Sequence, residues 1–197
     1  AAQWSEAEGF GLLHQLSSPA WAELLIAFIV LDFAVWLQHM AMHKIPVLWR
    51  MHKVHHVDRD LDVTTALRFH PFELAVSTLY KSAWVALLGV PVAVALAFEI
   101  WLNANALFNH GNIRLPGWLD RIIRPFLVTP DMHLVHHSND PREQHCNYGF
   151  ALTLWDRLAG SYAAESQQGR DSQQIGLADI TDDRPARLGW SMKFPLT

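Results

Sequence analysis

Residues 20–43 read AWAELLIAFIVLDFAVWLQHMAMH. The first eighteen of these residues contain only two charged side chains, Glu23 and Asp32, and as a helix they are about long enough to cross a bilayer once. The stretch ends in His39 and His43, whose spacing of four places both side chains on one helical face. It therefore predicts a membrane helix over about 20–40 that presents two imidazoles at one end.

Histidine is unusually frequent, with twelve among 197 residues. Spacings of three and four place the histidines of a cluster on one helical face, and imidazole is a ligand for iron, zinc, copper and nickel. A lone HxxxH is more often structural, but recurrence favours a metal site, and eight histidines exceed the four ligands of one zinc. We therefore predict two metal ions, held by His39 and His43 and by two HxxHH clusters: His52, His55, His56, and His133, His136, His137.

A second apolar stretch, residues 74–113, holds only Lys81 and Glu99 as charged side chains. It is too long for one crossing, and Gly89-Val90-Pro91 interrupts it near its middle. It can form a kinked helix with an interfacial helix, or a hairpin of two short spans. We favour the hairpin, with membrane helices over about 72–88 and 92–109, because a single crossing would separate the histidine clusters.

Four further polar residues are weighed individually. His110 follows the returning helix and is predicted as a ninth ligand, whereas His70 is equally a ligand or a partner of one. Asp32 lies seven residues before His39 on the same helical face, so it either accepts a hydrogen bond from a ligand imidazole or serves helix packing. His14 and His145 are predicted to lie outside the site.

Composition excludes several classes of protein. The chain is 51% hydrophobic and only 17% charged, and its net charge of -4 argues against nucleic-acid binding. The single cysteine, Cys146, excludes an intrachain disulfide and a multi-thiolate metal site. All Lys and Arg except Lys81 fall in 41–73 or after 110, so these regions should face the cytoplasm. Because the first residue is Ala, we expect that an upstream segment has been removed.

Taken together, these features resemble the fatty acid hydroxylase and sterol desaturase superfamily of membrane di-iron enzymes. The similarity covers about 28–197, and Ala159 departs from it where a Phe is usual. Besides the histidine clusters it rests on Asp32-Phe33, Leu48-Trp49-Arg50, Arg68-Phe69-His70-Pro71 with Glu73, Phe108-Asn109-His110, Thr129-Pro130, Asn147-Tyr148-Gly149-Phe150, Trp155-Asp156-Arg157-Leu158, Gly160-Ser161-Tyr162 and Ile175-Gly176-Leu177.

The resemblance implies an all-α integral membrane fold. Antiparallel membrane helices would carry a cytosolic, histidine-rich helical cap, formed by about 41–71 and 110–197, within one domain over 1–197. The cap would hold two iron ions, with no catalytic residue separate from the ligands. The expected location is the bacterial inner membrane, with the cap facing the cytoplasm.

The implied reaction uses O2 to hydroxylate or desaturate an unactivated C–H bond of a lipid, whether fatty acyl, sterol or isoprenoid. Electrons would come from an external ferredoxin or small haem protein. The basic residues that could form its docking face are equally explained as scattered surface charges: Arg50, Lys53, Arg121, Arg124 and Arg142. The alternatives are a carotenoid hydroxylase, an ether-lipid monooxygenase, or a non-catalytic accessory subunit with a structural metal. Membership of a larger membrane assembly is left open.

Overall fold

The computed structural model describes all residues, Ala1–Thr197, and contains helices and loops but no β-strand. This confirms the predicted all-α class. Five short 3-10 turns accompany nine α-helices, which are α1 Ala2–Glu8, α2 Ala20–Lys44, α3 Pro46–His56, α4 Pro71–Leu88, α5 Val92–Asn109, α6 Gly117–Ile123, α7 Pro130–His136, α8 Leu154–Ala159 and α9 Leu188–Lys193.

A sharp turn after α2 brings the first two histidine clusters together. Ile45 is extended, because a residue before proline is disfavoured in the helical region, and Pro46 then starts α3 at the position where its missing N–H costs nothing. The chain therefore reverses within two residues. The turn places α3 against the histidine-bearing end of α2.

Two helices, α4 and α5, form at the positions predicted for the two short spans. Gly89 ends α4 in the left-handed conformation, with φ of 71°, and Pro91 precedes α5. An ion pair of 2.7 Å joins Lys81 of α4 to Glu99 of α5, so the two helices approach each other at this level. The N-terminal segment covers the turn, where the Leu12 N–H donates to the carbonyl of Leu87.

Two helices, α2 and α5, are long and apolar enough to cross a membrane. The third predicted membrane helix, α4, is as long as α5. Each helix has eighteen residues, which span about 27 Å at 1.5 Å per residue. Helix α4 is less apolar because Glu73, Ser77 and Lys81 follow one another along one face at intervals of four. This polar face points toward a cavity described below.

The part of the chain after α5 is built from helices of six or seven residues. Pro116, Pro125 and Pro130 limit their length, as predicted, because proline lacks the N–H that continues a helix. The C-terminal tail folds back on α3, where Phe194 packs with Val54 in a small buried cluster. This packing fixes the outer face of the helix that carries His52, His55 and His56.

Candidate metal centre

All nine histidines predicted as ligands lie in two adjacent, buried groups. Within each group, one ring nitrogen of every histidine lies within 4.8 Å of the others. The groups touch each other, because the rings of His56 and His137 stack with centroids 4.4 Å apart. Group A consists of His39, His43, His52, His56 and His136, and group B consists of His55, His110, His133 and His137.

In three of the five group A histidines the ring nitrogen that faces away from the centre is held by a hydrogen bond, whereas His43 and His56 have no partner on either nitrogen. In a neutral imidazole only one nitrogen carries a proton, so a bond donated by Nδ1 leaves Nε2 with a bare lone pair. Three histidines are fixed in this way: His39 Nδ1 donates to the carbonyl of Tyr148 (2.7 Å), His52 Nδ1 to the carboxylate of Glu73 (2.6 Å), and His136 Nδ1 to the carbonyl of Cys146 (2.7 Å).

The three Nε2 lone pairs then face one another. His39 Nε2 lies 3.1 Å from His52 Nε2 and 3.2 Å from His136 Nε2. Neither contact is a hydrogen bond when both atoms lack a proton, and the converging lone pairs are arranged to bind a cation placed between them. Two nitrogens about 2.1 Å from one metal ion and at right angles to each other are about 3.0 Å apart, which fits these distances.

The ring nitrogens of group B are spaced like those of group A, but fewer of its rings are held by hydrogen bonds. His110 Nε2 lies 3.1 Å from His55 Nε2 and 3.0 Å from His133 Nε2, and His110 Nδ1 donates to the carbonyl of Ala106. The Nδ1 atoms of His55, His133 and His137 are buried without a hydrogen-bond partner. Group B therefore offers four converging nitrogens, of which one is oriented by the surrounding protein.

The histidines of the two groups do not readily take up protons in place of a metal cation. Burial lowers the pKa of His110 to about 4 and that of His136 to about 3, because the charged imidazolium loses its hydration. The pKa values of four other histidines fall well below the ordinary range for the same reason, with their histidine neighbours adding to the effect: His55, His56, His133 and His137. At neutral pH these rings are neutral donors, as metal binding requires.

Two predicted residues are not in the groups. Asp32 is buried, and its carboxylate accepts the indole N–H of Trp155 at 2.7 Å and no hydrogen bond from a histidine, an arrangement that fits the predicted packing role. His70 lies outside both groups. Its Nδ1 accepts the N–H of Phe72 at the start of α4, and its Nε2 lies 3.3 Å from the carbonyl of Met192.

Residues predicted to lie outside the site fit that prediction in part. His14 is near the α4–α5 turn, where a Cβ on Gly89 would approach its ring. His145 is in neither group, but its ring centroid lies 5.9 Å from that of His43.

The carboxylate that contacts a candidate ligand is Glu73. It is 4% exposed and lies in the first turn of α4, where it meets His52 across 21 residues of sequence. A carboxylate on Nδ1 fixes the imidazole tautomer and makes the other nitrogen a stronger donor. Its sequence neighbours, Arg68-Phe69-His70-Pro71, carried family similarity but no indication that this carboxylate reaches a histidine.

A second buried carboxylate, Asp156 of α8, orders the loop that supports His39. It accepts hydrogen bonds from the backbone N–H groups of Tyr148 and Gly149 at 3.0 and 2.7 Å, and from the indole of Trp36 at 3.1 Å. A Cβ on Gly149 would lie 2.8 Å from the carbonyl of Leu152, so only glycine fits this approach. The loop thereby holds the Tyr148 carbonyl against His39.

A cavity of about 170 Å³ opens beside group A, between α2, α4 and α5. His39 and His52 line its inner end, and Phe69 and Phe150 are among its apolar walls. No residue of group B lines it. A reactant lying in this cavity would therefore contact the group A side of the centre.

The chain is similar to known lipid-modifying proteins. Human alkylglycerol monooxygenase is 28% identical over 151 residues, which cover 72% of this chain and 31% of the human protein. Ornithine lipid hydroxylase from Rhizobium tropici is 32% identical over 149 residues, which cover 71% of this chain and 41% of the Rhizobium protein. Mouse lathosterol oxidase is 26% identical over 147 residues, covering 72% and 46%. The chain thus spans less than half the length of these relatives.

No solved structure matches the chain. The family model described as fatty acid hydroxylase matches residues 24–161, a range that contains all nine histidines of the two groups. Since this range is most of the chain and holds the whole metal centre, the chain belongs to the fatty acid hydroxylase family.

Proposed function

We propose that the protein is an O2-dependent di-iron oxidoreductase that hydroxylates or desaturates an unactivated C–H bond of a lipid. The observation that carries the proposal is the set of nine buried imidazoles, with unprotonated Nε2 atoms facing one another beside a cavity between long apolar helices. The relatives' names, a monooxygenase, a hydroxylase and an oxidase, support the reaction class. Fatty acyl, sterol and ether-linked lipids are all candidate substrates.

The nine histidines would hold the irons, five in group A and four in group B. A structural zinc site has four ligands, so nine donors are more than a structural metal needs. When bound, the irons supply the activation of O2 that C–H oxidation requires. His70 is not among the proposed ligands because backbone groups engage both of its ring nitrogens.

The protein's own groups orient the ligands and keep water out. The Nδ1–H bonds of His39 and His136 to backbone carbonyls fix their rings, and Glu73 adds a negative charge beside an otherwise neutral ligand set. All nine rings are buried, and the aromatic side chains of Phe69 and Phe150 flank the inner end of the cavity. A lipid C–H bond placed there would meet the metal centre in a largely apolar environment.

We propose that α2 and the α4–α5 hairpin lie in the membrane as antiparallel spans, and that residues 1–197 form one domain. The lysines and arginines near and after the histidine clusters support a cytoplasmic position for the cap. A bacterial inner membrane fits this arrangement. A lipid substrate could then enter sideways from the bilayer between α4 and α5.

Electrons would come from an external donor, such as a ferredoxin or a small haem protein. The chain has a single cysteine, so it cannot carry its own multi-thiolate iron–sulfur centre. Of the residues proposed as a docking face, Arg142 is exposed but pairs with Asp140 at 2.6 Å. The proposed face therefore rests on charge alone.

Oxygen-isotope labelling tests the function directly. The iron-loaded protein, supplied with a ferredoxin, its reductase and a bacterial lipid extract, is incubated under ¹⁸O₂ and the lipids are examined by mass spectrometry. Hydroxylation places one ¹⁸O in a lipid, whereas desaturation removes two hydrogens without adding oxygen. Neither product should form with His39→Ala, the matched control. If iron-loaded protein that receives electrons yields no oxidised lipid, the proposal is contradicted.

A further inference from the structure

An ion pair lies in the middle of the hairpin. Lys81 is the eleventh residue of α4 and Glu99 the eighth of α5, and the Lys81 Nζ atom lies 2.7 and 2.8 Å from the two carboxylate oxygens. Charged groups inside membrane helices are costly, face an interior cavity or partner, and usually mark a functional site. No residue of the metal centre contacts this pair, so the centre does not explain it.

The pair separates two cavities. The larger one, about 170 Å³, extends from His39 and His52 to Lys81 and Glu99. A smaller one, about 40 Å³, continues on the far side and is otherwise lined mainly by apolar side chains. Both cavities share Lys81 and Glu99 as wall residues, together with Val35. The two charged side chains therefore divide what would otherwise be one path between the helices.

The rise along α4 gives the distance from Glu73, beside the metal centre, to the ion pair. Glu73, which holds His52, and Lys81 are eight residues apart on one face of α4, or about 12 Å at 1.5 Å per residue. Along this depth an alkyl chain finds apolar walls such as Leu102 and Phe150. Beyond it, further methylene groups would have to displace a paired ammonium and carboxylate, which is unfavourable without new partners.

We propose that the Lys81–Glu99 pair is the floor of the substrate cavity and sets the length of alkyl chain that fits beside the metal centre. This inference rests on the proposed lipid function. It assigns the pair a role in specificity, with no direct part in the reaction. Chains that end above the pair should bind in full, and longer chains should gain nothing from their additional methylenes.

Equilibrium binding tests the floor without turnover. Iron-loaded protein in lipid nanodiscs is titrated with saturated primary alcohols that differ by one methylene. For each alcohol, the affinity of Lys81→Ala/Glu99→Ala is divided by that of the unchanged protein, which cancels partitioning into the bilayer. We expect a ratio near one for short chains, then an increase of up to roughly fourfold for each methylene that passes the former floor.

Two further variants keep the test decisive. The reversed pair, Lys81→Glu/Glu99→Lys, keeps the barrier and should keep the original chain-length limit. Ser77→Leu narrows the cavity one helical turn nearer the histidines, so it should shorten the limit even if the double alanine variant does not fold. If alcohols bind but neither Lys81→Ala/Glu99→Ala nor Ser77→Leu changes the chain-length limit, the floor is overturned and the proposal of lipid oxidation is unaffected. If no alcohol binds to any protein, the floor is also overturned, and the ¹⁸O₂ labelling experiment still decides the proposed function.

Discussion

The two histidine groups differ in how firmly the protein holds them. In group A, three of five histidines have their Nδ1 atoms fixed by a carbonyl or carboxylate, whereas in group B only His110 does. Group A also lines the cavity through His39 and His52, and group B does not. Two metals bound in these two groups would therefore not be equivalent. We expect the group A metal to be bound more tightly and to lie next to the substrate.

Removal of a ligand from each group should produce the largest effects. His133→Ala leaves three nitrogens in group B, so the iron content should fall from about two to about one per chain. His39→Ala leaves four nitrogens in group A and should retain more iron. Lipid oxidation should fall by more than about 100-fold in both, since the loss of an outer partner alone costs about 10–100-fold. Iron analysis and product assays measure both quantities.

His70→Ala is the control for both variants, because this histidine lies outside both groups. It should retain about two irons per chain if nine ligands suffice for two metals. An iron lost from His70→Ala, or full iron content in His133→Ala, would contradict the division into groups A and B.

Removal of the carboxylate on His52 should weaken group A alone. Glu73→Gln keeps the size of the side chain but loses the charge that orients and strengthens the ligand, so iron affinity in group A should fall about 10–100-fold. Competition with a coloured iron chelator measures this. Asp32→Asn is the matched control, a buried carboxylate that contacts no histidine, and it should release iron like the unchanged protein. Equal effects of the two substitutions would argue against a specific role for Glu73.

Disturbance of the loop behind His39 should have a moderate effect. In Gly149→Ala the new Cβ would lie 2.8 Å from the Leu152 carbonyl and 2.9 Å from Val128, so the backbone has to move. Overpacking of this kind costs about 1–3 kcal/mol of stability, and here it should also loosen the Tyr148 carbonyl from His39. Thermal unfolding measures the loss. Gly117→Ala, where a Cβ meets nothing within 4 Å, should leave the midpoint unchanged.

The smallest effect concerns the Cys146 thiol, whose backbone carbonyl supports His136 of group A. Burial raises the pKa of this thiol to about 12, with the nearby Asp156 and Glu143 charges adding to the effect, so at pH 8 it stays protonated. Iodoacetamide should therefore label it far more slowly than in the unfolded chain. Because the Cys146 carbonyl supports a histidine of group A, labelling of the thiol should become faster in His39→Ala, a group A variant, than in His133→Ala, a group B variant. The same slow rate in every variant would show that the loop does not depend on group A.

Much of the fold and of the metal centre could be predicted from local patterns. The apolar run that ends in His39, and the Gly89–Pro91 turn, predict α2 and the hairpin because helix length and helix breaking are local properties. The spacing of the histidine clusters predicted eight of the nine histidines that the structure brings together, and the ninth, His110, was predicted from its position after the returning helix. Their role as iron ligands remains a prediction.

What sequence spacing could not predict is contact between distant segments. Asp32 shares a helical face with His39, but seven residues separate them by about 10.5 Å along the axis, too far for a hydrogen bond. Its partner is Trp155, and the carboxylate on a ligand is instead Glu73 from another helix. Asp156 likewise acts through contacts up to 120 residues away, which only the folded chain shows.

The most direct test of the proposed di-iron centre is to measure the iron content and the iron absorption edge of the detergent-purified protein. We predict about two irons per chain after expression with ample iron, with nitrogen neighbours near 2.1 Å, about the bond length of imidazole to a first-row metal, and a second iron detectable in the scattering. One zinc per chain, or no bound metal, would contradict it.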